Sequence, residues 1–400
     1  MKLDGIKVVD FSLFLPGPHL TMLMADHGAE VWKLEPPGEG EPVRHVGAIE
    51  AGESVWFRNT HRGKKSICLD LKKPDELNAL LALIDTADVV VEGFRPGTAE
   101  RLGVGYGAIS ARNPRIIYCS ISAFGQTGPK RLKPAHDLAI QADSGMVSLN
   151  LGSDGKPTHP NMPVADMAGS LMALSGILMA LYRRDNVATG TGKGDYLDIS
   201  MQDSLLSWTP NVMGIPFAEA RAPEVKQQRS FGGGAFYNIY ETADHRFLVL
   251  GGSEVKFVTS LLTAMGRTDL IAAATFPPGP AHVPVKEFLR ASFAAKSLAE
   301  WSVFLDGIDV CWAPVRDLFE ATQEAHLQAR DMFYRGADGA LNLNNPIRFQ
   351  LEPAEPDWRL PAVGQHNAAI LRGSRTDPAK NVFAATDEIM SQVNGNEKIG

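Results

Sequence analysis

The chain has 400 residues and a formal net charge of -7 at pH 7. A single hydrophobic core seldom grows that large, so we expect two domains, and the negative charge argues against a nucleic-acid-binding protein, which normally carries a basic stripe. We find no apolar run close to the ~20 residues that span a membrane, so no membrane partner is expected. The three widely spaced cysteines match no metal or redox motif. They indicate a reducing environment, which predicts a cytoplasmic protein.

Strands and helices alternate along the first third of the sequence. Apolar runs predict strands at residues 6–11, 29–34, 66–71, 89–94 and 115–122. Helices are predicted between strands at residues 19–27 and 74–85. Strands separated by helices form a parallel sheet with covered faces, and ligands bind at the carboxyl ends of such strands. The pattern therefore predicts an α/β fold.

An acidic residue, Asp166, lies where a long apolar helix begins. We expect this helix to end near Arg183 and to bury one face. The apolar residues of that face are Leu171, Leu174, Ile177, Leu178 and Leu181. A carboxylate in a first turn is stabilised by the helix dipole and by backbone N–H groups without helical partners. Asp166 is therefore either a helix N-cap or a functional carboxylate, since its small neighbours leave room for a ligand.

The middle of the chain carries the signs of a domain boundary. Residues 216–230 are charged and irregular, and two predicted strands, at 236–240 and 246–250, follow them. The predicted segments are, in order, a large domain (1–215), a linker (216–230), a smaller α+β domain (231–313), a return to the large domain (314–373) and a polar tail (374–400).

Three further features could carry chemistry. His136 precedes an aspartate, and Glu254 follows a pair of glycines and a serine; a surface histidine and an acid at a helix N-terminus are the ordinary explanations. Residues 232–234 are glycines that form either a flexible domain entry or a mobile loop whose N–H groups approach a reacting carbonyl. The sequence contains neither a Gly-x-Ser-x-Gly elbow nor a His-Glu-x-x-His signature, so we predict no hydrolase triad and no metal site.

Many short motifs follow one another in a characteristic order. They are Gly17-Pro18, Gly28-Ala29-Glu30-Val31, Glu35-Pro36-Pro37, Asn59, residues 62–66, residues 69–72, residues 92–97, Arg101-Leu102-Gly103, residues 124–129 and Val164-Ala165-Asp166. On these motifs the chain resembles the family III CoA-transferases, which include carnitine and bile-acid CoA-transferases and α-methylacyl-CoA racemases. The resemblance runs from residue 3 to about residue 365.

This resemblance implies an architecture and a set of substrates. The large domain is expected to be Rossmann-like and built from both chain ends, with the smaller α+β domain inserted. Two subunits are expected to form a homodimer of interlocked rings. The implied substrates are an acyl-CoA and a carboxylic acid, with coenzyme A as part of the substrate and no permanently bound cofactor.

The resemblance also assigns roles to individual residues. Asp166 matches the catalytic aspartate, which attacks the acyl-CoA carbonyl, forms a mixed anhydride and then an aspartyl-CoA thioester. Gly232 and Gly233 match the loop that shields this intermediate. The residues that match positions in contact with coenzyme A are Phe14, Leu15, Phe94 and Arg101.

Two features depart from the transferase pattern. His136 stands where transferases usually have tyrosine, and residues 251–257 look more like the racemase version. In racemases a histidine and an aspartate exchange the α-proton of a 2-methylacyl-CoA, and an acid equivalent to Glu254 supports the histidine. The neighbours of Asp166 and the segment 64–66 instead follow the transferases. We therefore predict CoA transfer through Asp166, with racemisation by His136 and Asp166 as the alternative.

Overall fold

A computed structural model describes residues 1–336 and 339–373. The predicted tail, 374–400, lies outside the described residues. The α-helices are α1 (Pro16–Asp26), α2 (Val55–His61), α3 (Pro74–Ile84), α4 (Thr98–Arg101), α5 (Tyr106–Arg112), α6 (Asp137–Asp143), α7 (Val164–Asp185), α8 (Met201–Ser207), α9 (Gly214–Glu219), α10 (Val255–Ala264), α11 (Ile271–Thr275), α12 (Val283–Phe293), α13 (Leu298–Asp306), α14 (Leu318–Thr322), α15 (Ala325–Ala329) and α16 (Asn367–Gly373). Short 3₁₀ helices lie at Pro42–His45, Met146–Leu149, Val225–Gln227, Arg229–Phe231, Thr268–Leu270 and Pro280–His282.

The strands of the same residues follow in chain order. They are β1 (Lys7–Asp10), β2 (Glu30–Glu35), β3 (Ile49–Glu50), β4 (Glu53–Ser54), β5 (Lys65–Cys68), β6 (Val89–Glu92), β7 (Ile117–Ser122), β8 (Asp195–Ser200), β9 (Tyr237–Glu241), β10 (Phe247–Gly251), β11 (Trp312–Pro314), β12 (Phe333–Arg335) and β13 (Leu341–Leu343).

The chain divides into two compact units. The first contains Met1–Lys133, Gly169–Ser200 and the chain from Arg335 onward, and the second contains Pro134–Ala168 and Met201–Tyr334. The second unit thus begins earlier in the chain than the segment 216–230. That segment is also more regular than its charge pattern predicts, because the end of α9 and two 3₁₀ helices fall within it.

The first unit is built around a six-stranded sheet in which all neighbouring strands are parallel. Its order is β5-β2-β1-β6-β7-β8. Counted along the chain, its strands run 3-2-1-4-5-6, the order of a Rossmann fold. The register aligns Val8 of β1 with Val31 of β2 and with Val89 of β6. The predicted α/β fold with a parallel sheet is confirmed.

Branched apolar side chains fill the centre of this sheet. Val9 of β1 and Val90 of β6 are 0% exposed, as expected of strands that are covered on both faces. Leu80 and Ile84 of α3 and Ile109 of α5 belong to the same buried cluster. This apolar run is what makes the first predicted strands recognisable in the sequence.

The order of the strands reverses between β1 and β6, so a crevice is expected at their carboxyl ends. Residues 11–15 follow β1 there and lead directly into α1, which has Pro16 at its start. Gly17 allows this close approach, because a Cβ at that position would overlap the side chain of Ser12. The crevice is the first place to look for a ligand site in this unit.

The second unit contains an antiparallel sheet in the order β11-β10-β9. Strands β9 and β10 lie one residue after the predicted starts. Leu248 and Leu250 of β10 pack in one cluster with Leu261 of α10, Phe293 of α12 and Trp301 of α13. The core of this unit is therefore of the α+β type.

Helix α7 corrects one expectation from the sequence. It has 22 residues and a window of mean hydropathy 1.7, so by length and composition it could cross a membrane. Our statement that no apolar run has such a length is wrong. However, 44% of that window is buried, and Ala173 and Ile177 are 0% exposed. Core helices of globular proteins have the same character, so α7 is weak evidence for a membrane span.

Candidate active site

Asp166 lies in the first turn of α7, two residues after the helix begins at Val164. It is therefore not the N-cap, which was one of the two roles that its sequence context allows. Its side chain is half-buried, and the neighbouring Ala165 and Ala168 are 0% exposed. The dipole of α7 favours a negative charge at this end of the helix.

The cap of α7 is supplied by Asp137, the first residue of α6. Its Oδ1 accepts the backbone N–H of Ala165 at 2.7 Å and that of Asp166 at 3.2 Å. Its Oδ2 accepts from Gln141 Nε2 at 2.5 Å, and the same nitrogen donates to the Met162 carbonyl at 2.9 Å. Because Gln141 is only 3% exposed, this bridge fixes the start of α7 against α6.

Reasoning from the sequence passed over Asp137. Its only local signal is that of an acid in the first turn of a short helix. Its partners lie 28 and 29 residues further along the chain, and no local pattern encodes such a contact.

The acidity of Asp166 differs from that of an ordinary aspartate. Burial, and after it the negative charge of Asp137, raises the pKa of Asp166 from 3.8 to about 7. Burial acts in this direction because the carboxylate loses hydration. Near neutral pH the group is therefore present both as acid and as carboxylate, so it can exchange a proton or act as a nucleophile. Carboxyl groups perturbed in this way are common at functional sites.

His136 occupies the N-cap position of α6 with an extended backbone. Its carbonyl accepts the backbone N–H groups of Ala139 and Ile140 at 2.9 and 3.2 Å, while its side chain is exposed. Since His136 directly precedes Asp137, the structure brings His136 and Asp166 to neighbouring positions in the second unit.

Glu254 lies further along the second unit, at the N-cap position of α10. Its side chain is exposed and makes no capping hydrogen bond. This position agrees with the ordinary interpretation of an acid at a helix N-terminus.

The glycine run at 232–234 follows a 3₁₀ helix and has strict backbone requirements. Gly232 has a φ of 88°, in the left-handed region that favours glycine. A Cβ at Gly233 would lie 2.5 Å from the backbone of Gln227. Glycine is therefore needed at both positions by conformation and by close packing.

Hydrogen bonds hold both ends of this run. The Gly232 carbonyl accepts from Lys286 Nζ at 2.9 Å and from Asn238 Nδ2 at 3.2 Å. Just after the run, the backbone N–H of Ala235 donates to His282 Nδ1 at 3.0 Å. A movement of the run would have to break these bonds.

The remaining predicted site residues lie in the first unit, at the carboxyl edge of its sheet. Phe14 and Leu15 follow β1, Phe94 follows β6, and Arg101 ends α4. Arg101 is exposed, and its Nη2 donates to Thr98 Oγ1 at 2.8 Å. The fold thus gathers at one edge of the sheet residues that are up to 87 positions apart, Phe14 and Arg101.

Phe14 has an unusual backbone conformation. Its φ is 66°, which costs a residue other than glycine about 1–3 kcal/mol. Such strain persists only where the surroundings impose it, and it concentrates at ligand sites. The side chain is also 39% exposed, so an aromatic ring is presented at the edge of the crevice.

Phe94 is held by a buried acid. Glu92 Oε2 accepts the Phe94 backbone N–H at 2.6 Å, and burial raises the pKa of Glu92 to about 7. The Phe94 ring lies 6.1 Å from the ring of Phe11, centroid to centroid. The turns after β1 and β6 are therefore in aromatic contact.

A cavity of about 200 Å³ opens beside Phe94. Its walls are mostly apolar and come from the ends of β1, β2, β5 and β6 and from α4. The lining residues are Phe11, Leu13, Leu34, Glu35, Pro36, Pro37, Leu69, Asp70, Leu71, Lys72, Phe94 and Leu102. An apolar pocket with a few charged groups at a switch point of strand order is a typical small-molecule site.

The second unit has a larger cavity, of about 490 Å³. Met146 and Leu149, shortly after α6, and Met213 and Pro216, near the start of α9, line it together. Methionine suits pockets that accept varied apolar groups.

The cysteines and the other possible metal ligands are dispersed. Cys68, Cys119 and Cys311 are free thiols. Within residues 1–336 and 339–373, no group of three or more His, Cys, Asp or Glu side chains could hold a metal ion.

Comparisons with known proteins agree with this geometry. The profile of CoA-transferase family III matches residues 3–367. The acetyl-CoA:oxalate CoA-transferase of Acetobacter aceti is 31% identical over 352 residues, which are 86% of this chain and 88% of that protein. The alpha-methylacyl-CoA racemase of Homo sapiens is 33% identical and the match covers 93% of each chain.

A solved structure shows the same fold. The crystal structure of a CAIB/BAIF family protein from Brucella suis superposes with a TM-score of 0.80 at 28% identity, over 93% of this chain and 99% of that one. The family profile covers nearly the whole chain, and the resemblance predicted from the motifs is confirmed. The chain is an enzyme that belongs to CoA-transferase family III, whose substrates are thioesters of coenzyme A.

Proposed function

We propose that this enzyme moves coenzyme A from an acyl-CoA to a free carboxylic acid through covalent intermediates on Asp166. The observation that carries the proposal is the half-buried Asp166 carboxyl group in the first turn of α7, with its pKa near 7. A carboxylate suits this chemistry because its anhydride and its thioester are close in energy to those of the substrates. The proposal deepens the family assignment by naming the nucleophile.

The proposed reaction balances in four substitutions at carbonyl carbons. The Asp166 carboxylate attacks the donor thioester, and the C–S bond breaks to give a mixed anhydride and CoA thiolate. The thiolate attacks the aspartyl carbonyl, which releases the donor acid and leaves an aspartyl-CoA thioester. The acceptor carboxylate attacks this thioester, and the released thiolate attacks the acceptor carbonyl of the second anhydride. The products are the new acyl-CoA and free Asp166.

The surroundings of Asp166 support this role. Its raised pKa makes the carboxylate more basic than a solvent-exposed aspartate, which favours attack once the group is ionised. Asp137 holds the backbone of the same turn through two hydrogen bonds. We propose that Gly232 and Gly233 limit water access to the intermediates, because glycine lets a backbone approach closely.

We place coenzyme A in the crevice of the first unit. Its nucleotide would lie along Phe94 and the adjoining apolar cavity, Phe14 and Leu15 would pack against it, and Arg101 would meet its phosphates. The exposed position of Arg101 is suited to a phosphate contact.

Racemisation of a 2-methylacyl-CoA is the second candidate function. The neighbouring positions of His136 and Asp166 favour it, and so does the 33% identity with the human racemase. His136 and Asp166 would be the two proton-transfer groups, with Glu254 supporting His136. We further propose, from the resemblance, an interlocked homodimer in the cytoplasm; the mass of the particle in light scattering tests the dimer.

The trapping of an adduct tests the transfer mechanism. The enzyme is incubated with donor acyl-CoAs, acetyl-CoA among them, without an acceptor acid, then treated with hydroxylamine and digested. We expect a hydroxamate on the peptide that contains Asp166, and Asp166→Asn should lose the adduct while still binding coenzyme A. If a donor is turned over but leaves no adduct at Asp166, the covalent mechanism is wrong.

A further inference from the structure

A buried ion pair lies under the turn that carries Phe14. Lys33 of β2 and Glu41, six residues after that strand, have their Nζ and Oε2 atoms 3.0 Å apart. Their side chains are 1% and 0% exposed. Burying two charges is costly and is often no more stabilising than apolar packing, so the pair calls for an explanation other than stability.

Each partner also binds the backbone of that turn. Lys33 Nζ donates to the carbonyl of Ser12, and Glu41 Oε1 accepts the backbone N–H of Phe14 at 2.9 Å. The two side chains therefore grip the turn on both sides of Leu13. This is the stretch in which the backbone reaches its left-handed conformation.

The pair is itself anchored on its far side. The backbone N–H of Glu41 donates to Glu35 Oε2 at 2.7 Å, and Glu35 pairs with Arg44 at 2.6 Å. Asp10 Oδ1 accepts from the backbone N–H of Ser12 at 2.9 Å. The grip on the turn thus belongs to a continuous buried network, which leaves the turn little freedom.

We infer that Lys33 and Glu41 are positioning residues for coenzyme A, which hold the Phe14 ring in the crevice by imposing a strained backbone on its turn. The inference rests on the proposed function, since it takes coenzyme A as the ligand of this crevice. Neither side chain touches the ligand, and both act through Phe14. A ring that is already in place loses less freedom when the ligand binds, so the pair should lower the Kd for coenzyme A.

The main test removes both charges at once, so that no unpaired charge stays buried. The Lys33→Met, Glu41→Leu double variant is compared with the wild type by calorimetric titration with coenzyme A and by steady-state kinetics. We expect the Kd for coenzyme A and the KM for the donor to rise roughly tenfold or more, and kcat to change by less than about threefold. A folded double variant that binds coenzyme A within about twofold of the wild type overturns the inference.

A cycle of milder variants serves if the double variant does not fold. Glu41→Gln keeps an oxygen for the Phe14 N–H but removes the charge that faces Lys33. We expect Glu41→Gln to weaken coenzyme A binding, and to add almost nothing to the loss caused by Phe14→Ala, because both act through one ring. Fully additive losses contradict the inference.

The control breaks another buried ion pair by the same change of acid to amide. Asp26 and Arg62 are each 1% exposed and lie 2.7 Å apart, and Asp26 ends α1, roughly 15 Å along the helix from the turn at 1.5 Å per residue. Asp26→Asn should leave the Kd for coenzyme A unchanged, and an equal loss in this variant would overturn the inference. A wild-type enzyme that does not bind coenzyme A would instead refute the proposed function.

Discussion

Asp137 Oδ1 accepts the backbone N–H of Asp166 at 3.2 Å, so the residue that caps α7 also places a negative charge beside the carboxyl group at its mouth. The hydrogen bond fixes where the first turn of the helix lies. The charge disfavours ionisation of Asp166 and adds to the effect of burial. One contact therefore influences both the position and the acidity of the proposed nucleophile.

Replacing Asp137 should separate these two effects. Asp137→Asn keeps an oxygen that can cap α7 but removes the charge, so the pKa of Asp166 should fall and the acid limb of the kcat–pH profile should move to lower pH. The move should be smaller than the whole rise in pKa, because burial is the larger cause. Asp143→Asn is the control, since Asp143 ends the same helix and accepts from Gln202 Nε2 at 2.7 Å. An unshifted acid limb in Asp137→Asn would mean that Asp137 acts only as a cap.

The raised pKa of Asp166 also predicts a dependence of stability on pH. Its folded pKa of about 7 is above its unfolded value of 3.8. The stability that the protonated group retains at low pH is lost as pH rises through the folded pKa. Asp166→Asn has no such loss, so it should be more stable than the wild type above pH 7, by at most about 4 kcal/mol. Urea unfolding at pH 4 and pH 8 measures this, and a gap that does not widen with pH contradicts the pKa.

His136 distinguishes the two candidate reactions. If the enzyme is a transferase, His136 positions the substrate, and His136→Tyr should retain activity. If it is a racemase, the change removes one of two proton-transfer groups and should cost roughly 10²–10⁴ in rate. Incubation with a 2-methylacyl-CoA in heavy water, read by mass spectrometry, gives the direct measurement. Deuterium that enters the α-position at catalytic rates refutes the transfer proposal.

The packing at Gly233 predicts a coupled loss of stability and of product yield. Gly233→Ala places a Cβ 2.5 Å from the Gln227 backbone, so the chain must shift, at a cost of about 1–3 kcal/mol. The displaced run should admit more water, and hydrolysis of the donor should rise relative to transfer. Gly214→Ala is the control, because a Cβ there meets nothing within 4 Å. An unchanged ratio of hydrolysis to transfer would remove Gly233 from the proposed shield.

Local patterns in the sequence were sufficient for the elements and the family. The apolar runs that become β1, β2, β5, β6 and β7 are visible because strands covered on both faces need apolar residues at nearly every position. The motif around Asp166 places this residue near a helix start and ties the chain to its family. Sequence reasoning misjudged residues 216–230, since charged residues there pair locally, as Arg221 does with Glu219, and still permit helical turns.

Only the tertiary structure decided how these parts act together. Asp137 reaches Asp166 across 29 residues, and Glu41 reaches Phe14 across 27. Both contacts join a carboxylate to a backbone N–H, and any residue except proline offers that N–H, so no pattern of residue types marks the partner. Strand order likewise depends on which edges meet when the core closes. The sequence specifies what must be buried and what can ionise, whereas the positions and acidities of the site residues arise from the packing of distant segments.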